Sequence, residues 1–201
     1  RANADPVFGL NSDVTIAQRV VDALNLDAEC RIAALVRATA NVGSNFNTAS
    51  SWTDYSGRAP VNDVLQALRN VEQTTGYRPN RVLFSGTAWE YFSLNQNVVN
   101  AGFAGGNNQV LPAVTPSTVA QLLQVERVLV GKAYVNSNEE GAAISLQPIW
   151  GTDVLVYFAP LRPSRDVPSY GYAPRWTVDG IPSMAVMRLP HDDKKHLQEL
   201  E

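Results

Sequence analysis

The sequence predicts an α+β fold, on three observations. Residues 13–40 carry one long helical period uninterrupted by Gly or Pro. Helical and extended patterns then alternate through the middle of the chain, and extended patterns dominate from residue 127 onward. That order lacks the regular βαβ alternation of a doubly wound sheet and any internal repeat. At 201 residues the chain is one large domain or two small ones.

Taken in order, Asp13 is a plausible N-cap for the first helix. Ala17, Val21, Leu24, Ala28, Ile32 and Leu35 recur at spacings of three and four and share one face, expected to be the buried one. A helix of ~28 residues would be ~42 Å long, a spine for other elements. Gly43 to Pro60 reads as a loop rich in Asn, Ser, Thr and Gly, pinned by Trp52 and Tyr55. A second helix over 62–75 places Val64, Leu65, Leu68 and Val71 together, with Asn62 or Asp63 as its cap and Gly76 as its stop. Arg78-Pro79-Asn80 then turns the chain into a strand at 81–85, and Thr87 is expected to cap a short helix carrying Trp89, Tyr91 and Phe92. Residues 95–113 show no period and read as a loop. Thr115-Pro116 starts another helix, with Pro at its first position. Strands are expected at 127–136, 142–149, 154–159, 170–178 and 184–188, with a hairpin turn at 138–141.

Composition narrows the function classes. Hydrophobic residues make up 45% and charged residues 17%, against ~25% charged in typical soluble domains. The surface must therefore rely on amides and hydroxyls or be covered by partners. A net charge of -3 and a pI near 5.4 argue against a nucleic-acid reader with a basic face. Cys30, the single cysteine, rules out an intrachain disulfide and fits a packing role on the first helix. No apolar run reaches the ~18 residues a membrane span needs. The polar opening Arg1 to Pro6 is expected to lie inside a longer parent protein.

Residue types that do chemistry are sparse. His191 and His196 both fall in a polar tail. Ser85-Gly86 sits between strand and helix as a nucleophile elbow would, but Leu83 stands where G-x-S-x-G needs its first glycine. The glycine-rich stretch at 102–106 follows no strand and opens no helix, so it makes a poor phosphate cradle. Glu139 and Glu140 are adjacent, point apart, and suit a solvated hairpin tip. Arg162, Arg165, Tyr170, Tyr172, Arg175 and Trp176 interleave in a way that could stack single-stranded nucleic acid. On an acidic chain a packing or subunit interface is the better reading. The distinctive words concern shape instead. Trp52-Thr53-Asp54-Tyr55-Ser56-Gly57 and Ile149-Trp150-Gly151-Thr152-Asp153 each set an aromatic beside a glycine and an aspartate.

These words fall in a recognisable order: Trp52-x-Asp54-Tyr55-Ser56, Pro60-x-x-Asp63-Val64, Gly76-Tyr77-Arg78-Pro79-Asn80 and Trp89. Val128-Leu129-Val130-Gly131-Lys132-Ala133, Asn136, Ile149-Trp150-Gly151-x-Asp153, Pro160, Pro168-x-Tyr170-Gly171 and Trp176 follow. The set resembles the major capsid protein of tailed bacteriophages and prophages, of the HK-ninety-seven-like fold, over residues 13–180. The resemblance implies a peripheral-domain portion with the spine helix at 1–60 and an axial domain at 61–155. Peripheral-domain strands at 156–190 and a polar tail at 191–201 would complete it. Trp52, Tyr55, Pro79, Trp89, Gly131, Trp150, Gly151, Asp153 and Trp176 would be structural anchors, the tryptophans at 52 and 150 buried. Gly102, Phe103, Gly105, Gly106 and Asn107 would form an inter-subunit loop. The implied role is a non-enzymatic shell subunit without cofactor or metal. It would assemble in a bacterial host cytoplasm with copies of itself into pentamers and hexamers of the virion capsid. Scaffolding and portal proteins would be further partners, and the shell would enclose DNA without reading its sequence and without a membrane. The resemblance implies an N-terminal arm and an extended loop ahead of the spine helix, and this sequence is expected to keep the globular body without them. Two alternatives are a binding module of a phage tail or secretion apparatus, and a hydrolase built around Ser85.

Overall fold

The computed structural model describes residues 4–5, 10–42, 52–57, 59–102, 114–139, 141–162, 164 and 166–172. They divide between two units, one holding the described residues up to Asp27 and the other Ala28–Tyr172. In the first, strands β1 (Ala4–Asp5) and β2 (Leu10–Asn11) pair antiparallel, with Ala4 opposite Asn11. Helix α1 (Ser12–Arg37, 26 residues) starts there and ends in the second unit. A single 3-10 turn, Thr39–Asn41, follows it.

The second unit is built on a three-stranded sheet. Its strands are β3 (Arg81–Ser85), β4 (Arg127–Gly131) and β7 (Val154–Tyr157), in the order β4-β3-β7. β3 and β4 run parallel, and β7 closes the edge antiparallel. Four helices lie along the chain around these strands: α2 (Pro60–Thr75), α3 (Gly86–Leu94), α4 (Gln96–Gly102) and α5 (Pro116–Leu123). A hairpin of β5 (Tyr134–Asn136) and β6 (Leu146–Pro148) leaves the end of β4 through Lys132-Ala133.

Alternation along the strands sorts their side chains onto two faces. One face carries the rows Val128–Val82–Val156 and Val130–Phe84–Val154. Val64 and Leu68 of α2, Ala88 and Phe92 of α3, Val98 of α4 and Val119, Ala120 and Leu123 of α5 form one core with Val82, Phe84 and Val128. Phe84 meets Phe92 at 4.9 Å between ring centroids and Trp89 at 5.6 Å. Each fully buried large side chain here contributes ~1.5–3 kcal/mol. The other face carries Arg127–Arg81–Tyr157, then Leu129–Leu83–Leu155, then Gly131–Ser85. The Ser85 N–H donating to Asp153 O extends that last row to Asp153.

Local chemistry explains most element ends. Pro60 opens α2 behind Ala59, and Gly76 stops it at φ 73, where a β-carbon would be strained. The cap is thus neither Asn62 nor Asp63, because proline at the first position already supplies a helical φ and needs no N–H partner. Thr115 caps α5 by accepting the Thr118 N–H. At α3 the expected cap, Thr87, lies inside the helix; Ser85 caps it, its Oγ accepting the Ala88 N–H.

Three further expectations change. Residues 95–113 are not one loop, since Gln96–Gly102 is helical and takes in Gly102. Asn95 starts that helix: its Oδ1 accepts the Asn97 N–H and its carbonyl accepts those of Val98 and Val99, while Val98 seats in the core. Packing there overrides the weak helical preference of the asparagines. Phe103, Gly105, Gly106 and Asn107 lie outside the described residues, as do Trp176 and the strands expected at 173–178 and 184–188. Residues 170–172 are not strand, and the expected boundary after 155 falls inside β7, which pairs with β3 through Tyr157. Among the described side chains of α1 the buried position is Ala33 at 1% exposure, while Ile32 and Leu35 are 46% and 63% exposed. Ala33 lies between Glu29 and Arg37 on one helical line, and those two polar residues make the contacts described next.

Candidate functional site

The turn between β6 and β7 docks onto the last turns of α1. Trp150 Nε1 donates to Glu29 Oε1 at 2.7 Å. Arg37 Nε donates to Asp153 Oδ2 at 2.6 Å, and Arg37 Nη1 donates to the Ile149 carbonyl at 3.2 Å. Gly151 has φ 57, and a β-carbon there would come within 2.9 Å of the Arg37 guanidinium carbon. A β-carbon at Gly131 would stand 2.7 Å from Trp150 Nε1, so the indole lies directly against the bare end of β4. Four expected anchors, Gly131, Trp150, Gly151 and Asp153, therefore meet in one joint. Trp150 is half-buried rather than fully buried, because its N–H must reach a carboxylate at the helix surface.

A second joint ties the 52–57 loop to the helical layer. Trp52 Nε1 donates to Asp63 Oδ2 at 2.9 Å, and its ring tilts against Phe92 at 5.8 Å. Trp52 too is half-buried, for the same reason. Asp54 Oδ1 accepts the N–H groups of Ser56 and Gly57, a local turn that holds the loop in shape. Tyr55 is 38% exposed, and its ring tilts against Tyr91 at 6.3 Å. The loop is also fixed through its backbone, Tyr55 O accepting the Gln96 N–H. Trp89 packs against the core, and Pro79 is buried.

Asn80 is the structural residue that sequence reasoning missed. Its side chain brackets Ala159, Nδ2 donating to the carbonyl at 2.8 Å and Oδ1 accepting the N–H at 2.9 Å. Its own carbonyl accepts the N–H groups of Glu126 and Arg127. One amide thus sets where β4 begins and β7 ends. Arg78-Pro79-Asn80 signals only a turn, so nothing in the sequence points to that reach.

Beside β7 lies an open groove of about 780 Å³, lined by residues that include Val71, Thr75, Leu155, Tyr157, Arg37 and Tyr170. Its two carboxylates, Asp63 and Asp153, are held by Trp52 and Arg37. Tyr170 donates its N–H to Phe158 O, donates its hydroxyl to Val36 O at 3.3 Å, and rests its ring 5.9 Å from Tyr157. Burial pushes its phenol pKa above the usual 10.0. Tyr172 donates to Ser164 O and Val167 O. Both tyrosines of the suggested stacking platform thus bond to their own chain, while Arg165, Arg175 and Trp176 lie outside the described residues.

Ser85 is 1% exposed, with its Oγ engaged in the α3 cap. Cys30 is a half-buried free thiol. His191 and His196 lie outside the described residues. Among the described residues, no three His, Cys, Asp or Glu side chains converge as metal ligands, and no helix is long and apolar enough to cross a membrane.

No family model and no curated protein sequence matches the chain. Among solved structures it is similar to a phage-related protein from Bordetella bronchiseptica RB50, with a TM-score of 0.64 and 23% sequence identity. The match covers 81% of this chain and 52% of that protein, so this chain spans about half the length of its neighbour. At that identity the likeness shows the fold alone, a mixture of helix and sheet.

Proposed function

We propose that this chain is the body of a phage or prophage major capsid protein, a non-enzymatic subunit that assembles with its own copies into an icosahedral shell around DNA. The observation that carries the reading is the fold it shares with a phage-related protein over 81% of its length. The arrangement of its distinctive residues supports it. Trp52, Gly131, Trp150, Gly151 and Asp153 serve joints between elements instead of converging on a substrate. Ser85, around which a hydrolase would have to be built, is buried and engaged as a helix cap. A shell subunit needs a rigid body that repeats under symmetry and no reaction centre. The acidic balance suits a wall that encloses DNA without gripping its sequence.

Negative-stain electron microscopy of the parent protein, expressed with its neighbouring genes, tests this. Closed particles of uniform size are expected. Tubes or single rings would favour a tail component, and protein that stays monomeric at every concentration would end the shell reading.

A further inference from the structure

The second unit is chemically polar from end to end, and its two ends match. At the starts of β3 and β4, Arg81 and Arg127 stand in register on one face with Tyr157 completing the row. Like charges placed directly opposite on neighbouring strands repel. Among the described residues neither guanidinium has a hydrogen bond or ion pair, and Arg81 Nε is buried without a partner. An unmet buried donor on a charged group is costly. Glu126, the neighbouring acid, accepts from Asn80. Aromatic surface flanks the pair, Tyr77 being 48% exposed and lying 5.5 Å from Phe158 between ring centroids. This end is basic and aromatic.

The opposite end carries an exposed apolar hairpin with Lys132 at its base and Glu139 at its tip. Because β3 and β4 are parallel, the β5–β6 hairpin leaves the sheet from the end away from Arg81 and Arg127. Tyr134 and Leu146 lie on one hairpin face at 54% and 62% exposure, and Ile144 is 78% exposed. A two-stranded hairpin of this kind is marginal unless something covers it. Glu139 sits exposed at its tip, with no side-chain partner among the described residues.

The geometry points to a head-to-tail contact in which the β5–β6 hairpin of one copy lays Glu139 against Arg81 and Arg127 of the next, its apolar face covering Tyr77 and Phe158. The contact rests on the shell reading and deepens it, for a contact between opposite ends is heterologous and closes into a ring when the rotation permits. The Glu139 carboxylate meets the exposed Arg127 guanidinium and the outer part of Arg81's, and relieves the repulsion between the arginines. A phosphate backbone would satisfy the arginines but leave Tyr134, Ile144 and Leu146 uncovered, so the second copy explains more.

A charge exchange in the full chain tests this by sedimentation velocity across concentration and salt. Glu139→Lys and Arg127→Glu, both at exposed positions, should each weaken self-association about tenfold, and combining them should restore most of it. In assembled particles of the parent protein, Glu139→Cys with Arg127→Cys in a Cys30→Ser background should form a disulfide between copies. Particles that form from wild type but are indifferent to both reversals, with no cross-link, would overturn the contact and leave the shell reading standing. Wild-type protein that never associates would overturn both. Duplex DNA binding that is abolished by Arg127→Glu would reassign the arginines to phosphate.

Discussion

Replacing Gly131 with alanine puts a methyl group where the Trp150 indole now lies. The added carbon would sit 2.7 Å from Nε1 and 2.9 Å from Cγ, inside the 3.4 Å at which ordinary contact begins. The ring has little freedom to retreat. Its N–H is committed to Glu29 at 2.7 Å, and the next residue is Gly151 at φ 57 with Arg37 packed over it. Forcing extra carbon into such a contact costs ~1–3 kcal/mol. Swinging the indole out instead forfeits the bond to the Glu29 carboxylate, a similar loss after allowance for its half-exposed setting. Against this, replacing a glycine at a strand end returns at most ~0.5–1 kcal/mol. The net is a destabilisation of ~1–2 kcal/mol, which for a chain of this length lowers Tm by roughly 2–8 °C. Thermal melts of Gly131→Ala, Trp150→Ala and the double variant check the mechanism as well as the size. With the indole gone, alanine at 131 should be neutral or mildly stabilising, so the sign of its effect reverses between backgrounds. A Gly131→Ala penalty of equal size in both backgrounds would show that the indole is not what the glycine makes room for.

Much of the fold was legible because local chemistry and burial agree. The strand at 81–85 has alternation, β-branched residues and a preceding Pro-Asn turn. Pro116 behind Thr115, and Gly76 after a helical period, are signals of element ends that tertiary packing had no reason to override. Elsewhere the local signal and the packing diverge. Asparagines at 95, 97 and 100 speak for a loop, yet Asn95 ends α3 with its backbone N–H and starts α4 with its side chain. Hydrophobic periodicity chose Ile32 and Leu35 as the inner face of α1, whereas the contact line runs through Glu29, Ala33 and Arg37. A search for apolar residues cannot find a face made by an acid, an alanine and a base.

The joints were legible in part for a different reason. Trp-Gly-x-Asp and Trp-x-Asp carry bulky rings beside turn residues, and such words are too specific to be surface filler. What the sequence could not supply was their partners, since Glu29 lies 121 residues from Trp150 and Asn80 lies 79 from Ala159. Those distances also decide what each residue does. Trp150 is a strut between α1 and β4 because Gly131 leaves it room, and Asn80 is a bracket because two strands end within its reach. The arginine row at 81 and 127 was invisible for the same reason. Its two members are 46 residues apart and become neighbours only when β3 and β4 pair in parallel.

Two further outcomes follow from these joints. Asp153→Asn breaks an ion pair whose side chains are 39% and 56% exposed, so it should cost no more than ~1 kcal/mol and less at high salt. Urea titrations at two salt concentrations measure it, and a salt-independent loss above ~2 kcal/mol would mean the pair carries more than a rim contact can. Tyr170 predicts an alkaline signature. Its hydroxyl donates to Val36 O, and desolvation holds its pKa above the 10.0 expected in the unfolded chain. The raised pKa means the folded state keeps its proton while the unfolded state gives it up, so stability is full below pH 10 and falls as pH rises through the folded value. Tyr170→Phe removes that group from both states and should lose under ~1 kcal/mol near neutrality, the worth of a partly exposed hydrogen bond. The gap between wild type and variant must then narrow as pH climbs past 10, because only wild type still has a phenol to ionise. Urea unfolding of both proteins across this range decides the point. A gap that stays constant from neutrality into strong alkali would mean that Tyr170 titrates alike in the two states and that its hydroxyl is not held against α1.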